Sequence, residues 1–201
     1  MNHIAIVILA AGKATRMGQS KQLLPWGDST LLGSVIETIL AVDATIFCVV
    51  MGAYQNEIEK KTDLSKTIVF INKNWQQGIG SSIALTTAEI DKQYPHINAI
   101  LFVLADQPFI SSLHINAMIQ SHNNEKEAII VTKKKDYRGV PVLFPKKFFS
   151  DLMLLSNDEG AKQIINRNKD QVREIVTQDD TADIDTFESY TALYKNFKSE
   201  D

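Results

Sequence analysis

The chain has a single cysteine, Cys48, set inside the apolar run Ile46-Phe47-Cys48-Val49-Val50. One thiol cannot form an internal disulfide. The stapled framework of a small secreted domain is therefore excluded, and a reducing, cytoplasmic setting is expected. In that run the thiol reads as a small buried hydrophobe rather than a nucleophile. No apolar stretch approaches the roughly 20 residues needed to span a bilayer, and no basic leader precedes the first apolar segment, so neither an anchor nor a signal peptide is expected. Charge of one sign is also lacking: 21 basic and 24 acidic residues leave a net −3. That balance excludes the basic excess of a nucleic-acid surface while leaving room for a local basic spot. There is no internal repeat, no low-complexity tract and no linker rich in Pro, Gly or Ser. The four histidines, at positions 3, 96, 114 and 122, show no metal-ligand spacing.

What the chain does have is 201 residues, 44% of them hydrophobic, enough for one domain with a full core. Short apolar, β-branched runs recur at Ile4–Ala10, Thr45–Met51, Thr67–Ile71, Ala99–Leu104 and Ala128–Thr132. Between them lie helix-period stretches. In one, Leu31, Leu32, Val35, Ile36, Ile39 and Leu40 share a face. Others run from Ser82 to about Asp91 and from Ser112 to about His122. Strands apolar throughout, separated by helices, predict an α/β fold with a mostly parallel sheet covered on both faces. After Lys133 the rhythm changes. A short strand is expected at Pro141–Phe144, helical pieces at Lys146–Leu155 and Glu159–Arg167, a strand at Val172–Val176, and a last helix from about Thr186. Ligands of such sheets sit outside the carboxyl ends of the strands, which directs attention to the loops after Leu9, Ile71 and Leu104.

The first of these loops holds Gly12 and Gly18 with Lys13, Arg16 and Lys21 between and after them. Glycines let main-chain N–H groups approach an anion; arginine grips phosphate oxygens in pairs, and lysine adds a point charge. The spacing is not that of a P-loop, because five residues rather than four separate the glycines. A G-x-G-x-x-G fingerprint is absent as well. On composition alone, a phosphate grip and a merely basic βα turn stand level. Asp106, after Leu104, is placed to hold a hard cation or simply to start the turn into Pro108. Asp183 and Asp185 offer a second metal ligand, although Asp185 with Glu188 also spells a helix capping box. Ser81 reads equally as an N-cap, and Trp75 as packing.

Several segments, taken in order, resemble one family. Leu9-Ala10-Ala11-Gly12, Arg16-Met17-Gly18, Lys21 and Leu23-Leu24-Pro25 look like the signature of NTP transferases, and within these of the MocA-like molybdenum cofactor cytidylyltransferases. Trp75-Gln76-Gln77-Gly78-Ile79-Gly80-Ser81-Ser82 resembles the family's second nucleotide loop, and Ala105-Asp106-Gln107-Pro108 its metal loop. Arg138–Phe144 and Asp158–Lys162 resemble segments flanking its acceptor site, and Asp183-Ile184-Asp185-Thr186 its C-terminal motif. The resemblance implies a Rossmann-like three-layer nucleotidyltransferase fold spanning residues 1–201 as one domain, its C-terminal third forming part of the acceptor site. It implies that Leu9, Ala10, Ala11, Gly12, Gly80 and Ser82 contact the nucleotide. Arg16 and Lys21 then hold the triphosphate, and Asp106 with Asp185 holds Mg²⁺. Gly139, Pro141, Asp158, Gly160 and Lys162 face the acceptor. Related guanylyltransferases show Leu-Ala-Gly-Gly in the first loop. Ala11 in place of the first of those glycines favours CTP over GTP. Lys162 stands where relatives carry arginine, and Asn157 where they carry glycine.

The expected reaction is transfer of CMP from CTP to the phosphate of molybdopterin carrying molybdenum, with pyrophosphate released, and with a molybdenum-enzyme apoprotein as a further partner. Two other readings fit the same residues. One uses GTP, or a sugar or polyol phosphate as acceptor. The other is a non-catalytic nucleotide-binding chaperone for molybdenum-enzyme maturation, which would not need Asp106.

Overall fold

The computed structural model describes residues 3–13, 17–156 and 158–200. The first apolar run forms β1 (Ile4–Ala10), buried along its whole length. A two-stranded ribbon, β2 (Pro25–Trp26) and β3 (Ser29–Thr30), leads into α1 (Leu31–Leu40), whose N-terminus is capped by the Thr30 hydroxyl accepting from the Gly33 N–H at 3.1 Å. There follow β4 (Ile46–Met51), α2 (Gln55–Lys61), β5 (Ile68–Ile71), α3 (Ile79–Gln93), β6 (Ala99–Leu104) and α4 (Ser112–Asn124). The remainder comprises β7 (Ile129–Lys134), β8 (Tyr137–Pro145), α5 (Phe149–Met153), α6 (Lys162–Arg167), β9 (Val172–Val176) and α7 (Phe187–Glu200).

Seven strands form one sheet in the order β5-β4-β1-β6-β8-β7-β9. All pairs are parallel except those of β8, which runs against both β6 and β7. Successive residues of a strand face opposite sides, and β1 shows the result. Ile4, Ile6, Ile8 and Ala10 meet residues of α1, α2 and α4, whereas Ala5, Val7 and Leu9 meet residues of α3, α5 and α6. This is the expected three-layer arrangement with a mostly parallel sheet. Cys48 is part of the second of these cores, and burial pushes its thiol up to about 12, so at neutral pH it is an uncharged packing atom.

Three local expectations are corrected. The strand expected at Pro141–Phe144 is nine residues long, because a turn at Lys135 (φ 47°) folds Tyr137–Val140 back along β7 before the apolar part begins. The helix expected from Ser82 starts at Ile79, after Gly78 at φ 94°, so Ser81 lies inside the first turn and is not its N-cap. The capping box of the last helix is Thr186 with Ser189, not Asp185 with Glu188. The Ser189 N–H donates to the Thr186 hydroxyl at 3.1 Å, and the Thr186 N–H to the Ser189 hydroxyl at 3.1 Å.

Candidate active site

Three strand ends and one C-terminal segment build a cleft of about 570 Å³ at the carboxyl edge of the sheet. The loop after β1 supplies Leu9, Ala11, Gly12 and Lys13; the stretch after β5 supplies Trp75, Gln76, Gly78, Ile79 and Ser82. The end of β6 supplies Leu104, Ala105 and Asp106, with Lys21, Gln22, Asp158 and Asp185 completing the wall. The three loops singled out from the sequence are thus the three that line it.

Each loop is fixed by buried polar side chains. Gln22 donates to the carbonyls of Ala10 (3.0 Å) and Gly12 (3.1 Å), and its own carbonyl accepts from the Ser20 hydroxyl at 3.0 Å. On the far side, the Ala53 N–H donates to the Ala11 carbonyl. Gly52 stands between the first and second loops, where an added Cβ would come within 2.8 Å of both the Ala11 oxygen and Trp75 Cβ. In the second loop Asn72 donates to the hydroxyls of Ser81 (2.8 Å) and Ser82 (2.9 Å) and accepts from the Asn74 N–H at 2.9 Å. Because Ser81 turns its own proton to the Gly78 carbonyl (2.7 Å), it ties the Gly78 turn to the helix start.

The charged centre joins residues far apart in the chain. Asp106 leaves the end of β6, and its carbonyl accepts from the Ile184 N–H at 3.1 Å, which stitches the 183–185 segment beside it. Ile184 is driven there by burial with Leu24, Trp26, Leu31 and Tyr190. Asp185 is thereby turned toward the cleft. The Lys21 ammonium lies between the two carboxylates, in direct contact with Asp106 and 3.1 Å from Asp185. Burial works against the Lys21 charge, but the two carboxylates outweigh it and hold the ammonium above its ordinary value. Asp183 points elsewhere. Its carboxylate accepts from Gln107 at 2.8 Å, and burial together with the Asp106 charge raises it to about 6. Gln107, given no role of its own from the sequence, also donates to the Thr181 carbonyl, so it pins this segment from beneath.

The remaining candidates divide. Leu9, Ala11, Gly12, Lys21, Ser82, Asp106, Asp158 and Asp185 line the cleft, whereas Ala10 and Gly80, both expected at the nucleotide, are not in the lining. Trp75, expected only to pack, is part of the wall. Gly139, Pro141, Gly160 and Lys162 are not in the lining. Gly160 (φ 57°) presses the 158–162 loop against Ile79 and so carries Asp158 into the wall, while Lys162 is exposed at the start of α6. Of the three lysines after Thr132, Lys134 donates to the carbonyls of Gln178 and Asp179. Arg16 and Asn157 lie outside the described residues.

A family model described as the MobA-like NTP transferase domain matches residues 6–172. The chain belongs to the MobA-like NTP transferase family. It is a nucleotidyltransferase of that family, and its fold agrees with those of its relatives. The chain is 27% identical over 196 residues to nicotine blue oxidoreductase of Paenarthrobacter nicotinovorans, covering 93% of this chain and 94% of that one. It is 25% identical over 198 residues to the molybdenum cofactor cytidylyltransferase of Escherichia coli K12, covering 98% of both. Rv0371c of Mycobacterium tuberculosis H37Rv, solved in complex with manganese, superposes with a TM-score of 0.82 at 25% identity over 96% of this chain and 98% of that one.

The transferase's own residues suit a divalent cation. Asp106 and Asp185 offer hard oxygen donors, and the Lys21 ammonium already sits between them as a stand-in cation. Among the described residues no group of three or more His, Cys, Asp or Glu side chains gathers to hold a metal. Two carboxylates, with further oxygens left to the substrate's phosphates, is the pattern by which Mg²⁺ is held. Among the described residues no helix is long and apolar enough to cross a membrane.

Proposed function

We propose that residues 1–201 work as one NTP-transferase domain that transfers CMP from CTP to the phosphate of molybdopterin carrying molybdenum, with Mg²⁺ as cofactor. The observation that carries this is the placement of Lys21, Asp106 and Asp185 at one end of a cleft walled by the first and second loops. The CTP assignment draws support from Ala11 at the cleft wall and from similarity to the E. coli cytidylyltransferase over nearly the whole of both chains.

In the reaction, an oxygen of the acceptor phosphate attacks the α-phosphorus of CTP. The bond from that phosphorus to the bridging oxygen breaks, and pyrophosphate leaves with the electron pair. The acceptor phosphate is already anionic, so no enzyme nucleophile and no covalent intermediate are needed. Catalysis is then positioning and charge stabilisation. Leu9, Ala10, Ala11, Gly12, Gly80 and Ser82 serve the base and ribose. Arg16 and Lys21 serve the triphosphate, Asp106 and Asp185 the cation, and Asp158, with Gly139, Pro141, Gly160 and Lys162 outside it, the acceptor side. Bound Mg²⁺ offsets the charge that grows on the phosphates.

The test is pyrophosphate release from CTP and from GTP with molybdopterin, a sugar phosphate or a polyol phosphate as acceptor. CTP with molybdopterin should be the productive pair. Lys21→Ala and Asp106→Ala should each lower kcat/KM by about 100-fold or more, the scale seen when one charge-stabilising group is removed. Full turnover in both variants would refute the assignment, and turnover with another acceptor would redirect it.

A further inference from the structure

One buried side chain decides which way a hydroxyl at the cleft wall points its proton. Asn72 follows β5, is 3% exposed and is not itself part of the cleft lining. Its Oδ1 accepts from the Asn74 N–H at 2.9 Å. That bond fixes the orientation of the amide, because the reversed amide would set its NH₂ against another N–H. Nδ2 therefore faces the hydroxyls of Ser81 and Ser82, at 2.8 and 2.9 Å, and gives one hydrogen to each. A hydroxyl that accepts in this way still has one proton to donate. Ser81 gives its proton to the Gly78 carbonyl at 2.7 Å, inside the turn. Ser82 lines the cleft, and among the described residues no group takes its proton.

We propose that Asn72 is a positioning residue for nucleotide recognition, which by donating to Ser82 holds that hydroxyl as a hydrogen-bond donor toward the cleft. The part of the nucleotide that meets Ser82 is then an acceptor: a base carbonyl, an unprotonated ring nitrogen or a ribose oxygen, and not an amino group. The inference rests on the functional reading above, in which Ser82 serves the base and ribose. A serine without such a neighbour rotates its proton to suit either kind of partner. Here the choice is made before the ligand arrives, by a side chain outside the cleft lining. The setting is fixed on both sides. The Asn72 N–H donates to the Met51 carbonyl at 2.8 Å, and the Ser82 carbonyl accepts from the Thr86 hydroxyl at 2.8 Å within α3. Reversing the donor at Asn72 therefore reverses what Ser82 offers while the backbone keeps its place.

The experiment measures equilibrium binding of CTP and of inorganic triphosphate at pH 8 with Mg²⁺ present, with melting curves to verify folding. Asn72→Asp keeps the shape and the bond from the Asn74 N–H, but its other oxygen can only accept. Both serine hydroxyls must then turn their protons to it, and three donors keep the carboxylate ionised at this pH. The variant should weaken CTP about tenfold more than it weakens triphosphate, which has no base or ribose and reports the added charge alone. In a Ser82→Ala background Asn72→Asp should weaken the two ligands equally, since no hydroxyl is left there to turn. Asn72→Ala, a second and uncharged variant, should lose CTP affinity alone but lose nothing further when combined with Ser82→Ala. Equal weakening of both ligands by Asn72→Asp overturns the proposal. So does the same extra loss of CTP with and without Ser82, because Asn72 then acts through the shape of the loop. If wild type binds CTP and turns over in either case, the functional reading survives. If wild type binds CTP no better than triphosphate, both fall.

Discussion

Gln22 uses both amide hydrogens on the carbonyls of Ala10 and Gly12, and so joins the beginning of the basic loop to its end. Gln22→Leu keeps the volume and removes the donors, leaving two carbonyls and the Ser20 hydroxyl without this partner. We expect a loss of about 1–3 kcal/mol in denaturant unfolding, and a rise in KM for CTP that exceeds any fall in kcat. His114 makes a different prediction. The single proton of the Thr132 hydroxyl goes to the Pro141 carbonyl at 2.8 Å, so His114 Nε2, 2.8 Å away, is the donor to Thr132. Burial holds this ring below its ordinary 6.5, only partly offset by Asp179. The unfolded chain therefore takes up the proton first. The stability tied to His114 is complete above pH 6.5 and is lost as pH falls below it. His114→Gln should flatten that acid limb of the melting-temperature profile. At this scale the sequence was legible where charge and motif order coincide, at Lys21 and Asp106. It was silent on Gln22, Asn72 and Gln107, because their partners are main-chain atoms and hydroxyls that leave no mark in a pattern.

The last helix matters to the site through packing. Trp26 of β2 is 2% exposed and packs against Phe109, Tyr194 and Phe197, with ring centroids 5.4, 5.5 and 5.1 Å away. Tyr190 adds a hydrogen bond from its hydroxyl to the Pro25 carbonyl at 2.7 Å. The same cluster buries Ile184, and Ile184 is what presents Asp185. Trp26→Ala should cost about 3–5 kcal/mol in equilibrium unfolding. Turnover should fall beyond what the unfolded fraction explains, because Asp185 loses its support. Helices and strands with strong periodicity, such as α1 and β1, were plain in the sequence. The first half of β8 was not, since Tyr137-Arg138-Gly139 is polar and its partner strand is needed to make it a strand. The cap of α7 was misplaced by one residue because Asp185 and Thr186 both suit an N-cap. The fold settles it by giving Asp185 to Lys21.

For the molecule as a whole, the parallel sheet flanked by helices followed directly from apolar runs alternating with amphipathic ones. What no pattern could show is which side of the cleft each C-terminal segment joins. That depends on contacts such as Gln107 with Asp183 and Gly160 with Ile79. If Lys21 stands in for the cation, Mg²⁺ alone should leave the melting temperature within error of the apo value. Mg²⁺ with CTP should raise it in proportion to ligand excess, and a chelator should abolish both that rise and pyrophosphate release. A melting temperature that climbs with Mg²⁺ alone would count against the stand-in.

The stitch between the Ile184 N–H and the Asp106 carbonyl also bears on how the molecule comes into being. The partners of Lys21 stand 85 and 164 residues further along the chain, and contacts at such separation form late, after the loops between them have closed. On the ribosome, β1, β4 and β6 can pair while the segment carrying Asp185 is still unmade. The sheet is in this sense a scaffold finished before its chemistry, and a nascent chain carries no assembled Lys21–Asp106–Asp185 centre until the segment with Asp185 has emerged and docked.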